Sequence, residues 1–323
     1  MDLSVIIPTY NRRVSLARTL NALRQQTLER ARYEIIVVDD GSSDGTRDFL
    51  KQQADVRAFS QMQNCGPAAA RNVGIRNARG TWLLFLGDDT MPLPDCLEGH
   101  VRAHSEIANE RVAVLGNVEW WKGNLVTPLM RYLTTGGTIQ HFAFHQIANP
   151  ENVPYGFFFT ANISIQRDFL LQHSLFDEEF RYAYGEDAEL AYRLTAHGLC
   201  IVYRPHLSVA HDHPTSYASA KRRAQNAGKT EILMARKHPE LVKLDFLEYG
   251  KKTRAAIRAR RVWTTLIVDP FLTIADQQRW DHQRLRRLYD MTLARHQLWS
   301  MLDARAAQRD AAFQSPSASR RRA

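Results

Sequence analysis

The sequence predicts an α/β protein, with a mostly parallel central sheet flanked by helices and a helical extension at its C-terminal end. Three observations predict it. Runs such as Glu34-Ile35-Ile36-Val37-Val38 are β-branched and do not alternate, as in parallel strands covered on both faces. Such runs take turns with helical patterns through the first hundred residues, which argues for right-handed crossovers. From about Lys221 onward Ala, Arg, Leu and Lys dominate, and helix becomes the expectation.

The first strand begins almost at once, at Leu3-Ser4-Val5-Ile6-Ile7. Residues 11–26 follow as a helix, because Leu16, Leu20 and Leu23 share one face at i, i+4 and i+7. The strand at residues 34–38 leads to a second helix at 44–53, opened by Asp44 as cap. Gly66-Pro67 then precedes an Ala-rich helix, residues 68–78, that stops before Gly80. Thr81-Trp82-Leu83-Leu84-Phe85-Leu86 is the next strand. Residues 112–208 are mixed and carry aromatic clusters at Trp120-Trp121, 142–144 and 155–159, which can stack on sugars or bases or close the edge of a core. Residues 251–261 hold six basic residues and no acid, and 314–323 are Ser- and Arg-rich, the composition of a disordered tail. The expected division is a sheet domain at 1–238, a basic helical extension at 239–313 and the tail at 314–323.

Bulk composition narrows the function classes. Lys and Arg number 43 against 34 Asp and Glu, a net charge of +9 that suits a polyphosphate ligand, nucleic acid or an anionic membrane. Cys65, Cys96 and Cys200 are odd in number and far apart, fitting neither a disulfide framework nor a zinc motif. They read as reduced thiols of a cytoplasmic protein. The strand at Leu3 leaves no room for a secretion signal, and no stretch approaches the ~20 apolar residues that span a bilayer. The best candidate, residues 262–275, is short and interrupted by Asp269 and Pro270.

Three acidic doublets carry the chemistry: Asp39-Asp40, Asp88-Asp89 and Glu186-Asp187. The first two close apolar runs, at the carboxyl strand ends where open α/β sheets bind ligands. Pro8-Thr9-Tyr10-Asn11-Arg12 follows the first strand, where Tyr10 can stack on a base and Arg12 or Arg13 can meet a phosphate. In Asp39-Asp40-Gly41-Ser42-Ser43-Asp44, an ionised carboxylate can select an imide N–H while Asp44 caps the helix. Arg71 offers a planar fork to phosphate from a helix of small residues, or is a surface Arg on a packing helix. Glu186-Asp187 opens a helix, where acids suit the dipole and a carboxylate can also act as a base. Ala210-His211-Asp212-His213 offers imidazoles after another apolar segment.

In order, SVIIPTYNR (4–12), DDGSSDGT (39–46), GPAAARNVG (66–74), FLGDD (85–89) and GEDAELAYRL (185–194) resemble the family 2 glycosyltransferases of the GT-A fold. The resemblance covers residues 3–215 and implies a Rossmann-like sheet and an inverting transferase that uses a nucleotide sugar, most often a UDP-sugar, with Mn²⁺ or Mg²⁺. By motif, Pro8, Thr9, Tyr10 and Arg12 would line the nucleotide pocket, and Asp40 would read uracil with Asp39 nearby. Arg71 would sit by the base or phosphates, and Asp88 would touch the ribose or assist the metal. Asp89 and His211 would bind the metal, Asp187 would be the general base, and Asn162 would border the sugar pocket. One departure stands out: the first Asp of the family's Asp-x-Asp signature is Gly87 here.

The implied acceptor is a hydroxyl of a glycan or lipid-linked saccharide. The alternative is a non-catalytic nucleotide-sugar or glycan-binding protein on the same fold. Nucleic acid is excluded as a partner, because the acidic doublets would repel a phosphate backbone and the basic run has no interleaved aromatics. Contact between the basic C-terminal helices and an anionic membrane, at the inner face of the cell membrane, is compatible with the transferase reading.

Overall fold

The computed structural model describes residues 1–135, 142–241 and 251–314, with backbone alone at 251–255 and 309–314. The expected tail lies outside the described residues, apart from the backbone of Gln314. In chain order the elements are β1 (Leu3–Thr9), α1 (Arg13–Leu23), β2 (Tyr33–Asp39), α2 (Thr46–Lys51), β3 (Val56–Ser60), α3 (Pro67–Asn77), β4 (Trp82–Leu86), β5 (Thr90–Pro92), α4 (Cys96–Ile107) and β6 (Val112–Trp120). There follow α5 (Pro128–Thr135), β7 (Asn162–Gln166), α6 (Arg167–His173), α7 (Glu186–Thr195), β8 (Cys200–His211), α8 (Tyr217–Lys237), α9 (Lys251–Trp263), a π-helical turn (Thr264–Val268), α10 (Asp269–Gln277) and α11 (Gln283–Gln314).

The chain forms two compact units: Met1–Leu125 with Phe142–His213, and Val126–His141 with Pro214–Ala323. The last of their three junctions in sequence falls between His213 and Pro214, before α8, where the composition had suggested residue 238.

The first unit is an α/β sheet of eight strands in the order β3-β2-β1-β4-β7-β6-β8-β5. The strands from β3 to β4 are parallel, as their unalternating runs predict. The sheet as a whole is mixed, because β7 runs antiparallel to both β4 and β6 and β5 antiparallel to β8. Asn162-Ile163-Ser164-Ile165 alternates, and this is what an antiparallel strand with one polar face looks like. Since β8 is parallel to β6, the carboxyl ends of β1, β2, β4 and β8 emerge on one edge. Opposite Gly116 and Asn117 of β6, β8 carries the extra residues Pro205, His206 and Leu207 as a bulge before regaining register at Ser208.

Both faces of the sheet are buried. Leu3, Val5 and Ile7 of β1 pack with Leu16, Leu20 and Leu23 of α1. Ile6 packs on the opposite side with Ala68, Ala70 and Ile75 of α3. That approach is close enough that a Cβ on Gly74 would lie 2.5 Å from Ile6 Cγ2. Helix α2 begins two residues later than expected, with Gly45 and not Asp44 as its N-cap; Asp44 accepts from Thr46 N–H at 3.1 Å and from Arg13 N–H, at the start of α1, at 3.0 Å. The three cysteines are free thiols.

The second unit is helical. Leu129, Tyr132 and Leu133 of α5 share a core with Tyr217, Ala220 and Ala224 of α8, Leu272 and Ala275 of α10, and Leu285, Tyr289 and Leu293 of α11. Within it, Asp269 accepts from Tyr217 Oη at 2.7 Å and Lys221 Nζ at 2.6 Å, and His296 Nε2 lies 2.9 Å away. Among the described residues, no helix is long and apolar enough to cross a membrane.

Candidate active site

The shared carboxyl edge gathers the loop after β1, the doublet after β2, the doublet after β4 and the end of β8. Two of these loops are stitched together by Asn11, whose left-handed φ of 53° suits Asn better than most side chains. Its N–H donates to Ser42 Oγ at 2.8 Å, and its Oδ1 accepts from Ser43 N–H at 2.8 Å. Tyr10 beside it is exposed, Pro8 is half-buried, and Thr9 is buried with its hydroxyl donating to Asp88 Oδ2 at 2.7 Å.

Asp39 and Asp40 have separate tasks. Both oxygens of Asp40 are engaged, accepting from Cys65 N–H and Gly66 N–H at 2.8 Å each, so this carboxylate holds the turn into α3. Burial, and behind it the neighbouring Asp39, push the Asp40 pKa up against those two donors. Asp39 is buried too; its Oδ1 accepts from Ser42 N–H at 2.9 Å. Its Oδ2 accepts no hydrogen bond and has Arg47 Nε at 3.5 Å. Asp40, expected to read the base, thus has both oxygens engaged by the backbone, whereas one oxygen of Asp39 accepts no hydrogen bond.

Asp88 and Asp89 sit with Arg12 and the end of β8. Register pairs Thr90 with His211, which brings Asp89 alongside the imidazole. Asp89 Oδ2 accepts from Arg12 Nη1 at 2.6 Å and has His213 Nδ1 at 2.9 Å, while Oδ1 is 3.4 Å from His211 Nε2. Burial opposes its charge, but His211, His213 and Arg12 together hold Asp89 well below the usual carboxylate range. Asp88 goes the other way: burial and the charge of Asp89 push it up to about 7. Asp212 points elsewhere, onto Arg18.

Asp89, His211 and His213 each offer a donor atom, all within 4.8 Å of one another, a set that fits a divalent cation. His211 Nδ1 is buried without a hydrogen-bond partner, and its ring is lined by Trp120 and Phe142, each centroid 5.5 Å away. His213, not singled out in the sequence as a candidate, stands with the other two. The available signal was spacing, since residues 211 and 213 fall on the same side at a strand end.

Glu186 and Asp187 open α7. Glu186 is buried against Arg71, whose Nη1 donates to its Oε1 at 2.9 Å. Burial and the charge of Asp187 push Glu186 up to about 7, with Arg71 working against them. Arg71 is thus not a surface Arg: it is buried, and its Nη1 is committed to the start of α7. Asp187 is half-buried, and its Oδ1 accepts its own helix's Ala188 N–H at 2.9 Å. Asn162 also differs from expectation. It is fully buried, donating through Nδ2 to the carbonyls of Asn117 and Leu207 at 2.9 and 2.8 Å, with His100 Nε2 at 3.0 Å from Oδ1. Its side chain joins strands and α4 instead of bordering a sugar. The aromatic residues Phe142, Phe144 and Phe159 pack on one another at 5.4–6.1 Å and against the core, the second of the two alternatives left open for them.

The family model described as glycosyl transferase family 2 matches residues 4–172, more than half of the chain. The chain belongs to glycosyl transferase family 2. Among relatives of this family 2 chain, validoxylamine A glucosyltransferase from Streptomyces hygroscopicus subsp. jinggangensis is 32% identical over 220 residues, 61% of this chain and 52% of the relative. Chondroitin synthase from Escherichia coli is 26% identical over 267 residues, 73% of this chain and 38% of the relative. The chain spans about half the length of the curated relatives it matches. Mannosyltransferase PcManGT from Pyrobaculum calidifontis, solved in complex with GDP-Man and Mn²⁺, superposes with a TM-score of 0.58 at 18% identity, covering 97% of this chain and 88% of that one. S. aureus TarS 1–349 in complex with UDP gives 0.53 at 17% identity, covering 98% and 93%. At these identities the likeness is one of fold, and the fold is that of the GT-A glycosyltransferases.

In this family 2 chain the departure at Gly87 has a local reason. A Cβ there would lie 2.8 Å from Asp89 Oδ1, so a side chain at 87 would press on the carboxylate that faces the two histidines.

Proposed function

We propose that this chain is an inverting glycosyltransferase that moves a sugar from a nucleoside diphosphate, preferably UDP, to a hydroxyl of a glycan or lipid-linked saccharide. One observation carries it: Asp39, Asp88, Asp89, His211 and His213 converge on one sheet edge of a family 2 chain. The relatives named as a glucosyltransferase and a chondroitin synthase support sugar transfer. Fold neighbours solved with UDP or with GDP-Man and Mn²⁺ support a nucleotide-sugar donor.

The roles follow from the contacts. Asp39 Oδ2, a buried acceptor without a hydrogen bond, suits the imide N–H of uracil. Asp40 shapes the turn beside it, exposed Tyr10 offers a face for the base, and Asp88, steadied by Thr9, is placed for the ribose. Asp89, His211 and His213 would hold the cation, and one carboxylate with two imidazoles fits Mn²⁺ better than Mg²⁺, which prefers oxygen. When bound, such a cation neutralises the charge that grows on the departing diphosphate. Asp187 takes the proton of the acceptor hydroxyl as its oxygen attacks the anomeric carbon from the face opposite the diphosphate. The bond from that carbon to the diphosphate oxygen breaks in the same displacement, which inverts the centre. The buried Arg71–Glu186 pair fixes the helix start that carries Asp187.

The test compares the parent with Asp187→Asn, on UDP-glucose, UDP-N-acetylglucosamine and GDP-mannose with saccharide acceptors. Turnover is expected to fall by roughly 10²–10⁴-fold while the donor-induced rise in melting temperature is kept. Equal turnover in the variant would remove Asp187 as base, and donor binding by a parent that transfers nothing would favour a binding protein. Exhaustive EDTA treatment should abolish turnover and Mn²⁺ restore it; undiminished turnover after EDTA removes the cation from the mechanism.

A further inference from the structure

The stretch from α9 through the π-helical turn into α10 is apolar on two neighbouring faces, one buried and one exposed. Its inner side, Thr264, Val268, Leu272 and Ala275, is buried. Between residues 262 and 275 the sole charged side chain is Asp269, and it too is buried. The outer side therefore carries Trp263 at 52% exposure, Leu266 at 70%, Ile267 at 54%, Phe271 at 43% and Ile274 at 51%, with no charge among them. A surface helix ordinarily shows water a polar face, and a helix apolar all round is ordinarily buried. The spacing is not accidental. Residues 263, 267, 271 and 274 step by four, four and three, as do 264, 268, 272 and 275, so both stripes stay in phase through the π-helical turn.

Both ends of the outer stripe are basic. Arg258 and Arg260 are exposed before it, and Arg279 and Arg284 are exposed after it. Trp280, half-exposed at the far end, meets Phe271 edge-on with ring centroids 5.9 Å apart. Of the acids near the ends, Asp276 accepts from Tyr217 N–H, Asp281 pairs with Arg286 and Asp303 with Arg261.

We propose that this outer stripe is a docking surface for an anionic lipid bilayer, into whose interface α9, the π-helical turn and α10 settle in plane. The inference is independent of the transferase reading. Apolar side chains enter the boundary between head groups and acyl chains, tryptophans sit at head-group level, and the arginines at both ends meet lipid phosphates. Charge argues against a second copy as the occupant. With both ends basic, pairing two stripes face to face brings arginine against arginine in either orientation. In-plane binding also agrees with the lack, among the described residues, of any helix able to cross a membrane.

Flotation of the full chain with phosphatidylcholine vesicles, with and without phosphatidylglycerol, tests the proposal, and sedimentation velocity reports the oligomeric state. The parent is expected to float with the anionic vesicles. The variant Leu266→Glu/Phe271→Glu is expected to remain at the bottom of the gradient, with the parent's melting temperature. Quenching of the parent's fluorescence by brominated lipid should fall in Trp263→Phe. The proposal is overturned if the parent fails to float, if the double variant floats equally well, or if the parent sediments as a dimer that the double variant dissociates.

Discussion

Two adjacent carboxylates, Asp39 and Asp40, make different contacts one residue apart, and the proposed recognition role of Asp39 can be separated from the structural role of Asp40. Replacing Asp40 by Asn turns one acceptor of the Cys65 and Gly66 N–H groups into a donor, which should lower stability by about 1–3 kcal/mol in urea unfolding. Asp39→Asn should instead keep most of the stability and lose the UDP-induced rise in melting temperature. If the two variants exchange these phenotypes, the assignment of base recognition to Asp39 fails. The doublet itself was legible in the sequence as a polar site at a strand end. Which member keeps an oxygen without a hydrogen bond was not, because neighbours along a strand point to opposite sides and the following turn decides which of them the backbone engages. His213 illustrates the same rule from the other direction: it repeats the side of His211 two residues on, a relation visible once the strand is known to end there.

At the scale of elements, β7 and α4 share a polar seam inside the first unit. Ser164 Oγ lies 2.8 Å from both His100 Nδ1 and His104 Nε2, and His104 stacks on Trp82 with centroids 3.8 Å apart. Burial keeps both rings neutral, lowering His100 to about 4 and His104 to about 3. In the unfolded chain each takes up a proton near its ordinary 6.5, so the unfolded state binds more protons as acid is added. Stability should therefore decline as pH falls from about 6.5 towards 4, by up to about 1.4 kcal/mol per pH unit for each histidine. Urea titrations across that range check this, and His100→Gln should flatten the dependence; a flat profile in the parent would show that the rings ionise inside the fold. The strands were legible from their unbroken apolar runs. The seam was not, because His100 and His104 lie on a helix whose partner strand is sixty residues away in sequence.

At the scale of the whole chain, the composition marks the helical half but not its edges. The shift towards Ala, Arg and Lys begins within α8, whereas residues 126–141 join the second unit from the middle of the sheet region. No compositional boundary surrounds that excursion, since α5 contributes Leu129, Tyr132 and Leu133 to a core made otherwise of distant helices. The second unit has its own acid-sensitive centre. Although burial opposes it, hydrogen bonds from His296, Lys221 and Tyr217 hold Asp269 down to about 2, below its ordinary 3.8. Its contribution is thus full above about 3.8 and is lost as pH falls towards 2. Asp269→Ala strands His296 and Lys221 and should destabilise this unit by about 3–5 kcal/mol, seen by calorimetry as an earlier unfolding transition. An unchanged transition would mean that those groups find other partners.

Leu207 of the bulge is buried and its carbonyl accepts from Asn162, whereas Pro205 and His206 are exposed and give the molecule a place to vary in length. Sequence gained or lost there is taken up before Ser208 regains register with Asn117, and the phase of the strand end is preserved. A single residue inserted between Ser208 and His211 would instead rotate both imidazoles to the far side of the sheet. Descendants of this chain are free to drift at Pro205 and His206 and held to a fixed count from Leu207 onward.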